Sequence, residues 1–271
     1  GAGRTDAQRS WYRRLTGGFR GVTEEATRSR KILMRMSPIL GLLYALLWGM
    51  IAIDLAMTLM PHWFSTMFPV AFFMAGFHAG LAATAILVTV LRRPLGLEDF
   101  ITPRQYHDLG KMIFAFGVFW MYLNWSQYVV IWYGLLPTEQ EWFVKRFEAP
   151  FTGLSQAVPL LIFVIPFLGL LTRPVKKVPA IVAFFSAVIL VGNWIERYLL
   201  VYPSLHPEGN HDLPFGLTEI GVGLGFMGLF LLSYLWFVKT FPMLPSPATL
   251  AARPPSLVPA PVASAVHHDI A

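Results

Sequence analysis

Ten polar or ionisable side chains lie within or beside long apolar segments of this chain, where an unpaired charge is costly. They are Asp54, His78, Asp108, Lys111, Asn124, Gln127, Asn193, Glu196, Arg197 and Glu219. A proton relay needs groups at several depths of the membrane that can both accept and release a proton, and carboxylates and histidine can do so. We therefore predict that these ten residues belong to a proton path.

The helical spacing groups some of these residues and separates others. Asn124 and Gln127 are three residues apart, so they share one helix face. Asp108 lies on the same segment as Asn124 but roughly 160° away around the helix, so one face cannot carry the whole path.

Ion pairing is the simpler alternative for the charged members. Glu196 or Glu219 could pair with Arg197 as a structural bridge, and Asp108 with Lys111 could decorate the start of a helix. For His78, a hydrogen bond within a helix bundle explains the residue as well as a relay does. The sequence leaves both interpretations open.

Redox centres and metals are not expected in the chain itself. It has no cysteine, which excludes thiolate-bound iron–sulfur clusters and a C-x-x-C-H haem attachment. A haem held by two histidines would need a partner for His78 at the same depth, whereas His62, His107, His206 and His211 lie at or beyond the ends of the apolar segments. We therefore predict no cofactor and no metal bound by this chain.

The elements that position these residues are transmembrane helices. Hydrophobic residues make up 55% of the chain and charged residues 13%, well below the charge content of soluble domains. Six segments reach the roughly 20 apolar residues needed to cross a bilayer. They are residues 38–60, 65–91, 107–136, 153–172, 178–203 and 214–240. We predict an all-α, polytopic bundle at 37–241, a basic segment at 1–36 and a Pro/Ala-rich tail at 242–271.

The basic residues predict the orientation of the bundle. Eighteen Lys and Arg residues lie in the two tails and in the connections on one side, whereas Lys145 and Arg146 are the two on the other side. An excess of positive charge marks the cytoplasmic side, so both termini are predicted to be cytoplasmic. This topology explains the net charge of +6 without a nucleic-acid partner.

Several motifs of the chain resemble those of the ActF family, the second large membrane subunit of alternative complex III, which is related to the NrfD and PsrC membrane subunits. The motifs are Asp54 with Pro61-His62-Trp63-Phe64-Ser65-Thr66, Tyr106-His107-Asp108-Leu109-Gly110-Lys111, Trp125-Ser126-Gln127-Tyr128, Ile131-Trp132-Tyr133-Gly134 and Gly192-Asn193-Trp194-Ile195-Glu196-Arg197-Tyr198. The similarity extends over residues 38–240.

The resemblance implies a haem-free subunit of a quinol-oxidising respiratory or photosynthetic complex in the bacterial inner membrane. Its expected partners are an ActC-like sister membrane subunit, an iron–sulfur subunit and subunits carrying c-type haems, with quinol oxidation ascribed mainly to the sister subunit. The family has ten helices, so the resemblance also implies either four helices before residue 1 or a shortened relative.

Two other functions and one further site complete the hypotheses. The chain could be a structural anchor whose acids only bridge helices, or a secondary transporter, although the inverted repeats expected of many transporters are not evident. A quinone site would combine an apolar slot with hydrogen-bonding groups, and Asp54, His62 and Trp63 are the candidates for it.

Overall fold

The computed structural model describes residues 22–94, 101–205, 213 and 216–240, and these are helical apart from short connections. The α-helices are α1 (Val22–Ile51), α2 (Phe68–Arg92), α3 (Pro103–Gly134), α4 (Pro137–Phe147), α5 (Thr152–Pro159), α6 (Ile165–Gly169), α7 (Pro179–Leu205) and α8 (Leu217–Thr240). A π-helical turn (Ala52–Ala56) and a 3-10 turn (Met57–Leu59) extend α1, a π-helical turn (Leu160–Val164) joins α5 to α6, and a 3-10 turn (Val175–Lys177) precedes α7. The all-α prediction is confirmed, and no strand occurs in the described ranges.

Within the described residues, five helical segments are long and apolar enough to cross a membrane, which indicates a multi-pass membrane protein. They are Thr27–Leu59, Phe68–Arg92, Thr152–Gly169, Pro179–Leu205 and Leu217–Phe237. The helix of the third predicted span, α3, has 32 residues but is not among the five. Five of the six predicted spans thus have a matching apolar helix.

The first helix is longer than the apolar run that predicted it. It begins at Val22, whereas the predicted span begins at residue 38, and Pro38 lies inside the helix. The predicted division between residues 36 and 37 therefore falls within α1. Residues 1–21 and the predicted tail at 242–271 lie outside the described residues.

The chain divides into two compact units, residues 1–40 with 215–271, and residues 41–214. In the second unit, α2 packs mainly against α7 and α3, and the segment from α5 to α6 packs against α7. One apolar cluster joins α2, α3 and α7 through Ala82, Ala85, Ile113, Val182 and Ile189, with Leu170 beside them. Another joins the end of the first span to α2 and α3.

Prolines and a glycine shape the α5–α7 contact. Pro159 and Pro166 lie on either side of the π-helical turn, and proline lacks the N–H that a regular helix would use there. A Cβ at position 192 would lie 2.7 Å from Ile162 Cγ1 and 3.2 Å from the Ile162 backbone nitrogen. Gly192 therefore allows α7 to approach the π-helical turn closely.

Candidate functional site

A carboxylate, an indole and a guanidinium meet where α3 and α7 pack together. Trp120 Nε1 donates a hydrogen bond of 3.1 Å to Glu196 Oε1, and the Glu196 side chain is only 15% exposed. Arg197 Nη2 lies 3.7 Å from Glu196 Oε2, so the charge of the acid is partly compensated. The ion pair that the sequence offered as an alternative for Glu196 and Arg197 is present.

Arg197 also ties α7 to α2. Its Nη2 donates a hydrogen bond of 3.2 Å to the backbone oxygen of Phe72. The guanidinium carbon lies 4.0 Å from the centre of the Phe72 ring, within the range of a cation–π interaction. Three helices are thus linked through the Trp120–Glu196–Arg197–Phe72 chain of contacts.

These groups border a cavity of about 880 Å³ within the second unit. The cavity is mostly apolar and aromatic. Its lining residues are Phe68, Ala71 and Phe72 from α2; Trp120, Met121, Asn124, Trp125, Gln127, Tyr128, Ile131 and Trp132 from α3, with Leu135 after it; Gln140, Trp142, Phe143, Val144, Arg146 and Phe147 from α4, with Glu148 after it; Ser155, Val158 and Pro159 from α5; and Glu196, Arg197, Leu199 and Leu200 from α7.

Four lining residues carry a buried polar atom without a hydrogen-bond partner among the described residues. These atoms are Gln127 Nε2, Arg146 Nε, Glu196 Oε2 and Arg197 Nη1. A buried polar group without a partner costs free energy unless water or a ligand satisfies it. Because each of these four atoms has almost no accessible surface, they lie within the wall around the cavity, where they add a polar region to a mostly apolar lining.

Asn124 and Gln127 lie at this cavity together, as their spacing predicts. Asn124 Nδ2 donates to the Trp120 backbone oxygen at 2.9 Å, one turn earlier in α3. Because both amides and Glu196 line the same space, the structure brings together Asn124, Gln127, Glu196 and Arg197 out of the ten predicted residues.

Arg146 is the largest surprise at the site, because the sequence placed it only in a connection between two spans. It is only 4% exposed, and its guanidinium carbon lies 4.0 Å from the centre of the Trp142 ring. Nη2 donates to the Leu200 backbone oxygen at 3.0 Å and to Ser204 Oγ at 2.9 Å, which links α4 to α7. Burial lowers the pKa of Arg146 to about 9, so the guanidinium remains charged at neutral pH.

His78 and Asn193 are buried away from the cavity lining. His78 Nε2 lies 3.1 Å from the backbone oxygen of Ile113, a bond that fits the packing interpretation, while Nδ1 has no partner among the described residues. A space of about 10 Å³ borders the ring, which is at the lower limit for one water molecule. Asn193 Nδ2 donates to the Ile189 backbone oxygen at 3.0 Å.

Asp108 and Lys111 lie on the surface. They form an i, i+3 ion pair of 2.8 Å in which both side chains are 55% exposed. Glu219 is the third residue of α8, and its Oε2 accepts a hydrogen bond of 2.7 Å from the Gly216 backbone nitrogen. The Asp108–Lys111 pair matches the structural alternative given for it, and Glu219 binds the backbone at the start of its own helix.

The three candidates for a quinone site do not line the cavity. Asp54 and His62 are exposed, whereas Trp63 is only 2% exposed. The Trp63 ring stacks on Trp142 with 4.8 Å between ring centres and 15° between planes, and meets Phe68 edge-on. Trp63 therefore serves packing between the end of the first span and α4.

Sequence reasoning gave no role to Trp120 or Arg146. Trp120 was one of several aromatic residues spread around α3, and only the fold shows which of them faces an acid. For Arg146 a signal existed, because Trp142 and Arg146 are four residues apart in α4 and share a face that Glu141 and Lys145 do not.

No set of three or more His, Cys, Asp or Glu side chains in the described ranges is arranged to hold a metal ion. Comparison of the chain with protein-family models gives no match, and comparison with curated proteins gives none.

Proposed function

We propose that this chain is a haem-free membrane subunit of a quinol-oxidising electron-transfer complex and that it carries a proton half-channel through the Glu196 cavity. The observation that carries the proposal is the Glu196 carboxylate at a cavity that the polar side chains of Asn124, Gln127 and Arg197 also line. The quinol-oxidising context rests on the motif resemblance. In this arrangement α3 is the third of six spans and both termini are cytoplasmic.

In the proposed mechanism Glu196 is the group that takes up and releases the proton. Trp120 and Arg197 hold the carboxylate in one position. Water held between the side chains of Asn124, Gln127 and Arg197 connects the acid to the mouth of the cavity. The aromatic walls restrict water to this polar part, because they offer it no hydrogen bonds.

The test is Glu196→Gln in the intact complex, purified through a tag on this chain and reconstituted into vesicles. Proton uptake per electron is measured with a pH-sensitive dye while quinol oxidation is followed in parallel. We expect the proton-to-electron ratio to fall at least twofold, with quinol oxidation less affected. Glu141→Gln is the matched control, since Glu141 pairs with Lys145 on the surface of α4. An unchanged ratio in Glu196→Gln refutes the half-channel.

A structural anchor is the second candidate, favoured by the bridging contacts of Arg197 with Phe72 and Glu196. An anchor predicts that Glu196→Gln lowers the yield of assembled complex and leaves the proton-to-electron ratio unchanged in what assembles. The same preparation therefore separates the two functions.

A further inference from the structure

Five basic side chains gather where the first turns of α3 meet the 3-10 turn before α7. This basic cluster consists of Arg104, Lys111, Arg173, Lys176 and Lys177. The two segments pack closely, because a Cβ at Gly110 would lie 3.2 Å from both Cβ and Cγ of Lys176. Lys176 is buried, and its Nζ lies 4.5 Å from the centre of the Phe114 ring. One ammonium group of the cluster is thus held in place by packing.

The positive charges of the basic cluster act on one another. Burial, followed by repulsion from Lys111 and Arg173, lowers the pKa of Lys176. His107 lies within electrostatic range of Lys111, Lys176 and Lys177. In the described ranges the carboxylate that faces these groups is Asp108, and Lys111 already binds it at 2.8 Å. The connection at 95–100, with Glu98 and Asp99, lies outside those ranges. The described part of the cluster keeps a clear excess of positive charge.

Exposed apolar side chains adjoin the cluster in sequence on both segments. Met112 follows Lys111, Leu171 precedes Arg173 by two residues, and Val178 follows Lys177, and all three apolar residues are exposed. A small soluble anion would use only the charges of such a surface. A phospholipid has both a phosphate for the cations and acyl chains for the apolar side chains.

We propose that the basic cluster binds the headgroup phosphate of an anionic phospholipid, whose acyl chains lie against Met112, Leu171 and Val178. The exposed Arg173 and Lys177 hold the phosphate, and the buried Lys176 adds its positive charge to the site. The proposal requires that the chain resides in a membrane, and it is independent of any proton transfer at Glu196.

Native mass spectrometry of the detergent-purified full chain tests this proposal. Phosphatidylglycerol and phosphatidylcholine with the same acyl chains are added at equal concentration, and the ratio of bound species is measured. The wild-type chain should prefer phosphatidylglycerol. Each basic residue near a membrane surface contributes about a fivefold preference, so Arg173→Gln with Lys177→Gln should reduce the ratio by about 25-fold. Asp108→Asn should raise the ratio, because it removes a competing carboxylate.

Lys145→Gln is the control, because it removes one positive charge from α4, where Lys145 pairs with Glu141. The proposal is overturned if Lys145→Gln lowers the ratio as much as Lys177→Gln does, or if the double variant keeps the wild-type ratio. It is also overturned if millimolar inorganic phosphate abolishes the preference, since the cluster would then bind a small anion. If the double variant does not fold, the Asp108→Asn variant decides. The proposal is overturned if this variant leaves the ratio of bound phosphatidylglycerol to phosphatidylcholine unchanged or lowers it.

Discussion

Replacing Arg146 by methionine should weaken the α4–α7 contact and lower the stability of the protein more than any surface substitution in α4. The guanidinium donates two hydrogen bonds to α7 and one of 2.8 Å to the Trp142 backbone oxygen, and it lies over the Trp142 ring. It binds α7 where Pro203 leaves the Leu199 carbonyl without its helical N–H donor. Arg146 therefore joins the two helices at an already weakened turn.

The magnitude follows from the two bonds that connect the helices. Hydrogen bonds from a charged donor contribute about 1.5–3 kcal/mol each, which gives about 3–6 kcal/mol for the pair. Removing the charge also relieves part of the cost of burying it, and methionine fills much of the same volume. We expect the free energy of unfolding of Arg146→Met to fall by about 2–3 kcal/mol.

Unfolding by sodium dodecyl sulfate in mixed micelles, followed by tryptophan fluorescence, measures this change. Lys145→Met is the matched control: it breaks the exposed Lys145–Glu141 pair, which should cost about 0.5 kcal/mol or less. Arg146→Lys keeps the charge but lacks the guanidinium group that donates to both Leu200 and Ser204. Its loss of stability should therefore lie between those of Lys145→Met and Arg146→Met. If Arg146→Met unfolds at the same detergent fraction as Lys145→Met, the buried contacts of Arg146 do not stabilise the fold.

Two further substitutions test local features of the helices by the same unfolding measurement. Gly192→Ala should destabilise the protein by about 1–3 kcal/mol because its Cβ would meet the backbone of Ile162, whereas Gly153→Ala meets nothing within 4 Å and should be neutral or stabilising. A neutral Gly192→Ala would contradict the close α7 contact. Thr102→Ala should cost about 1 kcal/mol by removing the hydroxyl of the capping box, which bonds Gln105 at the start of α3, and Thr84→Ala, which removes an exposed bond to Gly80, should cost less. Equal losses of stability in Thr102→Ala and Thr84→Ala would show that the capping box does not stabilise α3.

Hydrophobicity was sufficient to predict the five long apolar helices, because the bilayer forces the backbone to satisfy its own hydrogen bonds, but it did not predict α4. The ends were harder to predict. The start of α1 at Val22 lies in a polar, Arg-rich stretch that carries no apolar signal. The π-helical turn at Leu160–Val164, between two prolines, interrupts the regular α-helix but leaves a near-continuous helical segment.

The candidate site was predictable where residues of one helix share a face, as Asn124 and Gln127 do. Contacts between helices could not be read from spacing. Glu196 meets Trp120 across 76 positions in sequence, and Arg146 meets Leu200 across 54, so only the packing of α3, α4 and α7 determines these pairs. Asp108 and Glu219 were relay candidates because they border apolar runs, yet Asp108 is 55% exposed beside Lys111 and Glu219 binds the backbone in the first turn of α8.

The polar face of α3 has a consequence for how the chain is made. The segments Thr27–Leu59 and Leu217–Phe237 are apolar enough to leave the translocon for lipid individually. With α3 as a span, its Asn124, Gln127 and polar first turns make it a poor independent insertion segment. In that case α3 would enter the bilayer most readily when α2 is already beside it. Its polar face would be covered only after α7 is synthesised. Mutations that weaken α7 would then reduce the amount of inserted protein before they alter its activity.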